Sequence, residues 1–371
     1  MQKKHILSIG RDSSVAMPGS QLRVRFEEYV KHHRHTLLIL NTGEPQEFMV
    51  GDSRVVLPGG RTLIGAFFRA LFVAHKEVKT GRYDLVTTQD VLYAGLIGYL
   101  IARWYRLPLF VQVHGDHLDN ERWFKSKVGK FNRLMNVVGK FILRRANHIR
   151  VVSSRLKEQL VQNYRLEADR IISIPIGTDT SMFTPPAFEQ REPIIAFAQR
   201  LILEKQPMLF VAVTCEVMRR LLDVKVVIAG DGFMKEEMVA AYRAAGLLDR
   251  VTFLGAVRQP ELVVLYQKAK CYLHTADWEG WGMPMIEAMA AGCPVVTTDT
   301  GCAGEAIKDG MTGFVTKVND EAALIIAVEK LLTDDNIWQK MSKQGIIEAS
   351  AWSFASLTHR NMEWYATAEQ H

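Results

Sequence analysis

Residues Cys271–Gly313 read CYLHTADWEGWGMPMIEAMAAGCPVVTTDTGCAGEAIKDGMTG. The apolar run Cys271–His274 reads as a buried strand and Pro294–Thr297 as the next one. Between them, EGWGMPMIE sets Glu279 and Glu287 on either side of a Gly-Trp-Gly-Met-Pro turn, with seven residues separating them. A small-residue helix is expected over Ile286–Ala291, with Glu287 in its first turn and Glu279 on the loop before it. Backbone N–H groups at a helix start have no partner inside the helix, so they attract anions and hydroxyl oxygens. Two carboxylates at the rim can hold hydroxyl donors. The loop therefore suits a ligand that is both a phosphate ester and a polyol.

Strand–helix alternation extends in both directions from this stretch. Upstream strands are expected at Ile194–Ala198, Lys225–Ala229 and Val251–Leu254, with helices over Gln206–Arg220 and Lys235–Ala245. An earlier series places strands at His5–Ile9, Thr36–Leu40, Leu85–Thr88, Leu109–Val113 and His148–Val152. Helices are expected over Leu22–His32 and between Asp90 and Tyr105. Buried apolar strands flanked by helices are the doubly wound α/β pattern. Residues 174–193, IPIGTDTSMFTPPAFEQREP, read as a linker between two Rossmann-like halves. Ligands bind outside the carboxyl ends of parallel strands, so a cleft between the halves is the expected site.

The bulk numbers agree with two domains. A chain of 371 residues is too long for one compact core. Its 48% hydrophobic and 23% charged content is ordinary for a soluble α/β protein. No window of 18 apolar residues suggests a membrane span. The apolar run after MQKKH is too short for a secretory signal and reads as the first strand. A net charge of +6 fits an anionic small ligand or an anionic membrane surface rather than nucleic acid. Cys215, Cys271, Cys293 and Cys302 form no CxxC pair, which points to free thiols in a reducing compartment, the cytoplasm.

EGWGMPMIEAMAAGCPVV resembles the Glu-x7-Glu signature of retaining glycosyltransferases of the GT-B fold, in particular family 4 (glycosyl transferases group 1). Four further segments agree in order: AQRLILEKQP (198–207), VVIAGDGFMKEEM (226–238), VTFLGAV (251–257), and IRVVSSRLKEQL followed by IPIGTDTSMF. The resemblance implies two Rossmann-like domains facing across a cleft, with a C-terminal helix crossing back. The domains are then 1–178, joined by 351–371, for the acceptor, and 190–350 for the nucleotide sugar.

It also implies a reaction. A sugar C1–O bond breaks, a nucleoside diphosphate leaves, and a hydroxyl of a glycan or lipid-linked acceptor takes the sugar. Arg200 and Lys205 match the family's phosphate clamp; fixed cations there stabilise the charge developing on the leaving group. Glu287 matches the residue that accepts hydrogen bonds from ribose hydroxyls, and Glu279 the residue beside the donor sugar. Gly282, Met283 and Pro284 belong to the turn that meets sugar hydroxyls and phosphate, and Gly230 to the Gly-Asp-Gly turn. His114, directly after an apolar strand, matches a histidine lining the donor-sugar pocket, with Asp116 and His117 beside it. Gly19 stands where many members carry paired glycines. Gln206 replaces a usual glycine and Ile176 a common asparagine. No metal or other cofactor is implied.

The alternatives on the same fold are a sugar-nucleotide epimerase and a non-catalytic nucleotide-sugar-binding partner of another transferase. Residues 121–145, ERWFKSKVGKFNRLMNVVGKFILRR, form a basic amphipathic pattern that suits an anionic bilayer, placing the protein peripherally on the inner face of the membrane. In that pattern Arg122, Arg133, Lys140 and Arg144 share one arc, and Trp123, Phe124, Phe131, Leu134, Met135, Val138 and Ile142 gather opposite. The pattern equally suits a helix whose apolar side packs into the first domain and whose basic face is solvated. Arg61–Lys79, with Phe67, Phe68 and Phe72 beside Arg69, His75 and Lys76, is a second candidate for contact with such a bilayer, and burial of its aromatics in the core is the preferred reading.

Overall fold

The structure, a computed structural model, describes residues 3–115, 118 and 129–370. The chain divides into two compact units, Met1–Ile174 with Thr358–His371, and Pro175–Leu357.

The first unit holds strands β1 (His5–Gly10), β2 (Arg34–Ile39), β3 (Gln46–Val50), β4 (Ser53–Leu57), β5 (Leu85–Thr88), β6 (Leu109–Val113), β7 (His148–Val151) and β8 (Ile171–Ser173). They form one sheet in the order β3-β4-β2-β1-β5-β6-β7-β8. Every neighbouring pair is parallel except β3 and β4, a hairpin at the edge. β5 and β6 are buried throughout, as apolar strands covered on both faces must be. The helix Phe354–Ala366 brings the end of the chain into this unit. Trp364 and Tyr365 lie 5.0 and 6.0 Å from the Phe110 ring, centroid to centroid, and Arg360 donates to the Ser173 carbonyl at 2.6 Å.

The second unit holds β9 (Glu192–Ala198), β10 (Lys225–Ala229), β11 (Val251–Gly255), β12 (Ala269–His274), β13 (Val295–Thr298) and β14 (Gly313–Thr316). Their order is β11-β10-β9-β12-β13-β14, parallel throughout. Phe197, Phe210, Ile228, Leu273 and Val296 are fully buried in the core around it. The chain runs outward from β9 through β10 and β11, then returns to β12 on the other side of β9. Strand order therefore reverses at β9 and β12, which pair through Cys271 with Ile195 and Tyr272 with Ala196. The loops leaving these two strands emerge side by side, the position where open α/β sheets bind ligands.

One helix corrects an expectation and a second is described in part. In the helix Leu63–Thr80 the buried stripe is Ala66, Ala70, Ala74 and Val78, while Phe68 and Phe72 are 62% and 67% exposed. Small alanines let the helix approach its neighbours closely, and the aromatic stripe is turned outward. Of the basic stretch 121–145, the helix Gly129–Arg145 is described and residues 121–128 lie outside the described residues. Met135 and Ile142 are buried, but Leu134 is exposed, so the apolar side is split between core and solvent.

Candidate active site

β9 ends at Ala198, and the loop after it carries Arg200 and Lys205. Its backbone is tied to the turn after β10. Leu201 N–H donates to the Asp231 carbonyl at 2.9 Å, and Met234 N–H to the Leu201 carbonyl at 3.1 Å. Gly230 has φ 141°, and a Cβ there would stand 1.9 Å from the Gln199 carbonyl oxygen. Glycine thus lets the second turn press against the loop that carries Arg200. The Gly230 N–H is itself engaged, donating to the Gly255 carbonyl at 2.7 Å. Arg200 is exposed, and its guanidinium makes no hydrogen bond or ion pair among the described residues.

Lys205 closes the short 3-10 turn Leu203–Lys205 and points inward, 8% exposed. Its Nζ lies 2.5 Å from Glu279 Oε2. Glu279 follows β12, whose last residue, His274, is fully buried with Nε2 3.5 Å from the same oxygen. The Gly280 N–H donates to Glu279 Oε1 at 3.0 Å. Both carboxylate oxygens are therefore held. Burial alone would raise the Glu279 carboxyl, but the His274 hydrogen bond and the Lys205 charge outweigh it and hold it at about 2. Burial pushes the His274 imidazole down, against the pull of Glu279.

The two loops are also joined through backbone. The Thr275 hydroxyl lies 3.0 Å from the Lys205 carbonyl and 3.2 Å from that of Gln206. Gln206 sits in the left-handed region, φ 50° and ψ 50°, which explains why glycine suits this position. Here a glutamine side chain reaches Asp277 Oδ2 at 3.1 Å and Asn319 Oδ1 at 3.2 Å.

The helix after Glu279 runs Met283–Ala290, not Ile286–Ala291. Pro284 lies in its first turn, where a missing N–H costs nothing, and Gly282 at φ 92° is the N-cap. Glu287 consequently lies in the second turn rather than the first. It is 3% exposed and accepts a hydrogen bond from the Tyr266 hydroxyl at 3.4 Å. Gly301, at φ 57°, backs the loop: a Cβ there would stand 2.5 Å from the Trp281 carbonyl and 2.8 Å from Glu279 Cγ.

The second unit therefore brings together Lys205, Glu279, Gly282, Met283 and Pro284, with Arg200 and Gly230 on the adjoining loops and Glu287 one turn along the helix. Gly19 and His114 belong to the first unit. Gly19, φ 77°, lies in the loop after β1 with open space where its Cβ would be, and half-buried His114 follows β6 directly. Asp116 and His117 lie outside the described residues. Among the described residues no three His, Cys, Asp or Glu side chains are grouped to hold a metal ion. The sequence reading missed His274, Thr275, Tyr266, Asn319 and Gly301. His274 and Thr275 carried a usable signal, since polar residues at a strand's carboxyl end stand at the site.

This architecture has known relatives. A family profile described as Glycosyl transferases group 1 matches residues 179–347, and one described as Glycosyltransferase Family 4 matches residues 27–182. The chain therefore carries a glycosyl transferases group 1 domain and a glycosyltransferase family 4 domain. Among similar proteins, the D-inositol 3-phosphate glycosyltransferase of Nocardia farcinica is 27% identical over 304 residues, 78% of this chain and 67% of that protein. The alpha-D-kanosaminyltransferase of Streptomyces kanamyceticus is 24% identical over 67% of this chain and 68% of its own length. The fold of this glycosyltransferase matches sucrose-phosphate synthase from Thermosynechococcus elongatus with a TM-score of 0.82 at 20% identity, over 98% of this chain and 99% of the other. It matches Anabaena HepE, solved with UDP-glucose, with a TM-score of 0.78 at 18% identity, over 98% and 100% of the two chains.

Proposed function

We propose that this glycosyltransferase moves a sugar from a nucleoside-diphosphate sugar to a hydroxyl of a glycan or lipid-linked acceptor, with retention at C1 and without a metal, in the cytoplasm. The observation that carries the reading is the Lys205 ammonium held on Glu279 where strand order reverses, with the unpaired Arg200 guanidinium on the same loop.

The acceptor oxygen bonds to C1 as the bond from C1 to the β-phosphate oxygen breaks. The electron pair leaves with the diphosphate, and the acceptor proton passes to a phosphate oxygen. Charge on that diphosphate rises in the transition state, so Arg200 and Lys205 stabilise it more than the bound donor. Glu279 is ionised with both oxygens engaged, which suits a group that orients a sugar hydroxyl and supports positive charge at C1. It does not suit a nucleophile, and this favours departure and attack on one face of the sugar. Glu287 takes the ribose hydroxyls and the Gly282–Pro284 turn the sugar and phosphate oxygens. Gly230 shapes the loop, and Gly19 and His114 are assigned to phosphate, donor sugar or acceptor on the family resemblance.

The test is a thermal-shift screen of nucleoside diphosphates and their sugar conjugates, begun with UDP and UDP-glucose because HepE was solved with them. A ligand at a hundred times its Kd stabilises by about 2.7 kcal/mol, a clear shift. Release of nucleoside diphosphate from the selected donor then follows turnover, and proton NMR of the product reads the anomeric configuration. Unchanged turnover in Lys205→Ala, or an inverted product, overturns the assignment. Turnover that survives a chelator supports the metal-free reading, and its loss sinks it.

A further inference from the structure

Three helices of the first unit lie side by side. Leu63–Thr80 packs on Tyr93–Tyr105, which packs on Gly129–Arg145. Each turns large apolar side chains outward: Phe68 and Phe72 from the first, Trp104 from the second, Leu134 and Val137 from the third, all more than half exposed. Exposed cations are interleaved with them, Arg69, Lys76, Arg103, Arg133 and Arg144. Across the three helices the sequence contains one carboxylate, Glu77. Arg54 neutralises it, with Nη1 2.9 Å from Glu77 Oε1, and also binds neighbouring Glu47 at 2.6 Å. Beside Phe68 and Phe72 an open groove of about 650 Å³ runs to Leu57 and Pro58, with Gln46 and the Arg54-paired Glu47 of the hairpin on its rim. The next helix, Ser154–Tyr164, ends the patch: its outer face is polar and carries Glu158.

We propose that this three-helix face docks on an anionic lipid bilayer, with its aromatic and aliphatic side chains among the headgroups and its cations on lipid phosphates. A face that is apolar and of one charge sign does not suit a second copy of itself, because a two-fold interface sets like charges against each other. It does suit anionic headgroups, which supply the missing negative charge while the apolar side chains leave water. Among the described residues no helix is long and apolar enough to cross a membrane, so the chemistry is that of a surface-lying contact. The surface reaches beyond the helix 129–145 and takes in Phe68 and Phe72 of Leu63–Thr80, the second candidate stretch, whose aromatics the sequence reading preferred to bury.

Vesicle flotation tests this with the full chain. Vesicles containing phosphatidylglycerol should carry the protein upward, pure phosphatidylcholine vesicles should not, and added salt should release it. Phe68→Ser with Phe72→Ser should weaken partitioning about tenfold. Arg69→Ala with Lys76→Ala should weaken it about 25-fold, about fivefold for each cation. Melting temperatures of the variants check that these exposed sites leave the fold intact; if a variant melts early, the lipid and salt dependence of the unaltered chain decides. Equal binding to both vesicle types, no binding to either, or variants that bind as tightly as the parent overturn the proposal. So does a dimer in light scattering that Phe68→Ser with Phe72→Ser dissolves.

Discussion

Lys205 and Glu279 stand 74 residues apart in sequence, yet their charges meet at 2.5 Å. Each is nearly buried, so each depends on the other. Lys205→Met should cost about 3 kcal/mol, because it leaves a buried carboxylate with only His274 and Gly280 as partners. Adding Glu279→Gln should recover much of that stability while turnover stays lost; chemical denaturation and nucleotide release read the two separately. Full additivity of the stability effects would contradict the pairing. Gln206 makes a second, independent prediction. Gln206→Ala keeps a side chain in the left-handed region and loses the bonds to Asp277 and Asn319, so it should destabilise by about 1–2 kcal/mol. Gln206→Gly loses the same bonds but relieves about 1 kcal/mol of backbone strain, and should lie above the alanine variant in denaturant midpoint. The charged members of the site were legible because their spacing around glycines is carried in sequence. His274 and Thr275 carried only their place at a strand's carboxyl end; their contacts arise when β12 pairs with β9.

Elements were legible where one period dominates. Leu85–Thr88 and Leu109–Val113 are buried strands at the expected residues, and Lys225–Ala229 is a strand there with Lys225 exposed; their length, four or five residues, is that of strands rather than helices. The hairpin strand Gln46–Val50 was missed because an edge strand can expose most of its residues, as Gln46, Glu47 and Met49 do; Ser53–Leu57, inside the sheet and mostly buried, was missed although its Val-Val-Leu run carried the signal. The helix Leu63–Thr80 was assigned its period correctly and its buried face wrongly: alanines and phenylalanines form parallel stripes four residues apart, and periodicity alone does not choose between them. At Met283–Ala290 the proline read as part of a turn, whereas a proline in the first turn starts a helix. That helix start is strict about its glycines. Gly282→Ala would bring a Cβ within 2.2 Å of Met285 Cε at a φ of 92°, and Gly301→Ala would drive one against Trp281 and Glu279. Gly301→Ala should destabilise by about 2 kcal/mol and lower turnover further than stability alone explains, since it displaces Glu279. Unaltered kcat in a folded Gly301→Ala protein would show that the glycine does not hold the carboxylate.

At the scale of the molecule, the two units should answer differently to acid. In the first unit His33 and His35 are buried where β2 begins. Burial pushes His35 from 6.5 to about 3 and His33 to about 4, with neighbouring positive charge adding to the effect. The folded unit therefore binds fewer protons than the unfolded chain. Stability from these groups is complete above pH 6.5 and drains as pH falls from 6.5 towards 4 for His33 and towards 3 for His35. His35 alone should contribute a slope of about 1.4 kcal/mol per pH unit in that window. In the second unit Glu279 is held at about 2 from 4.5, so its contribution persists down to about pH 4.5 and is lost only below it. His274 there is also pushed down by burial, against the pull of Glu279, so this unit loses some stability below pH 6.5 too, but less than one that carries His33 and His35 together. Calorimetry from pH 7 to pH 5 should show the first unit's transition falling while the second unit's, identified by its rise with nucleotide, moves less. His35→Asn keeps a hydrogen-bonding group near Ser8 but cannot charge, so it should flatten the first unit's slope whatever it does to absolute stability. A parallel fall of both transitions, unaffected by that substitution, would place the acid sensitivity elsewhere.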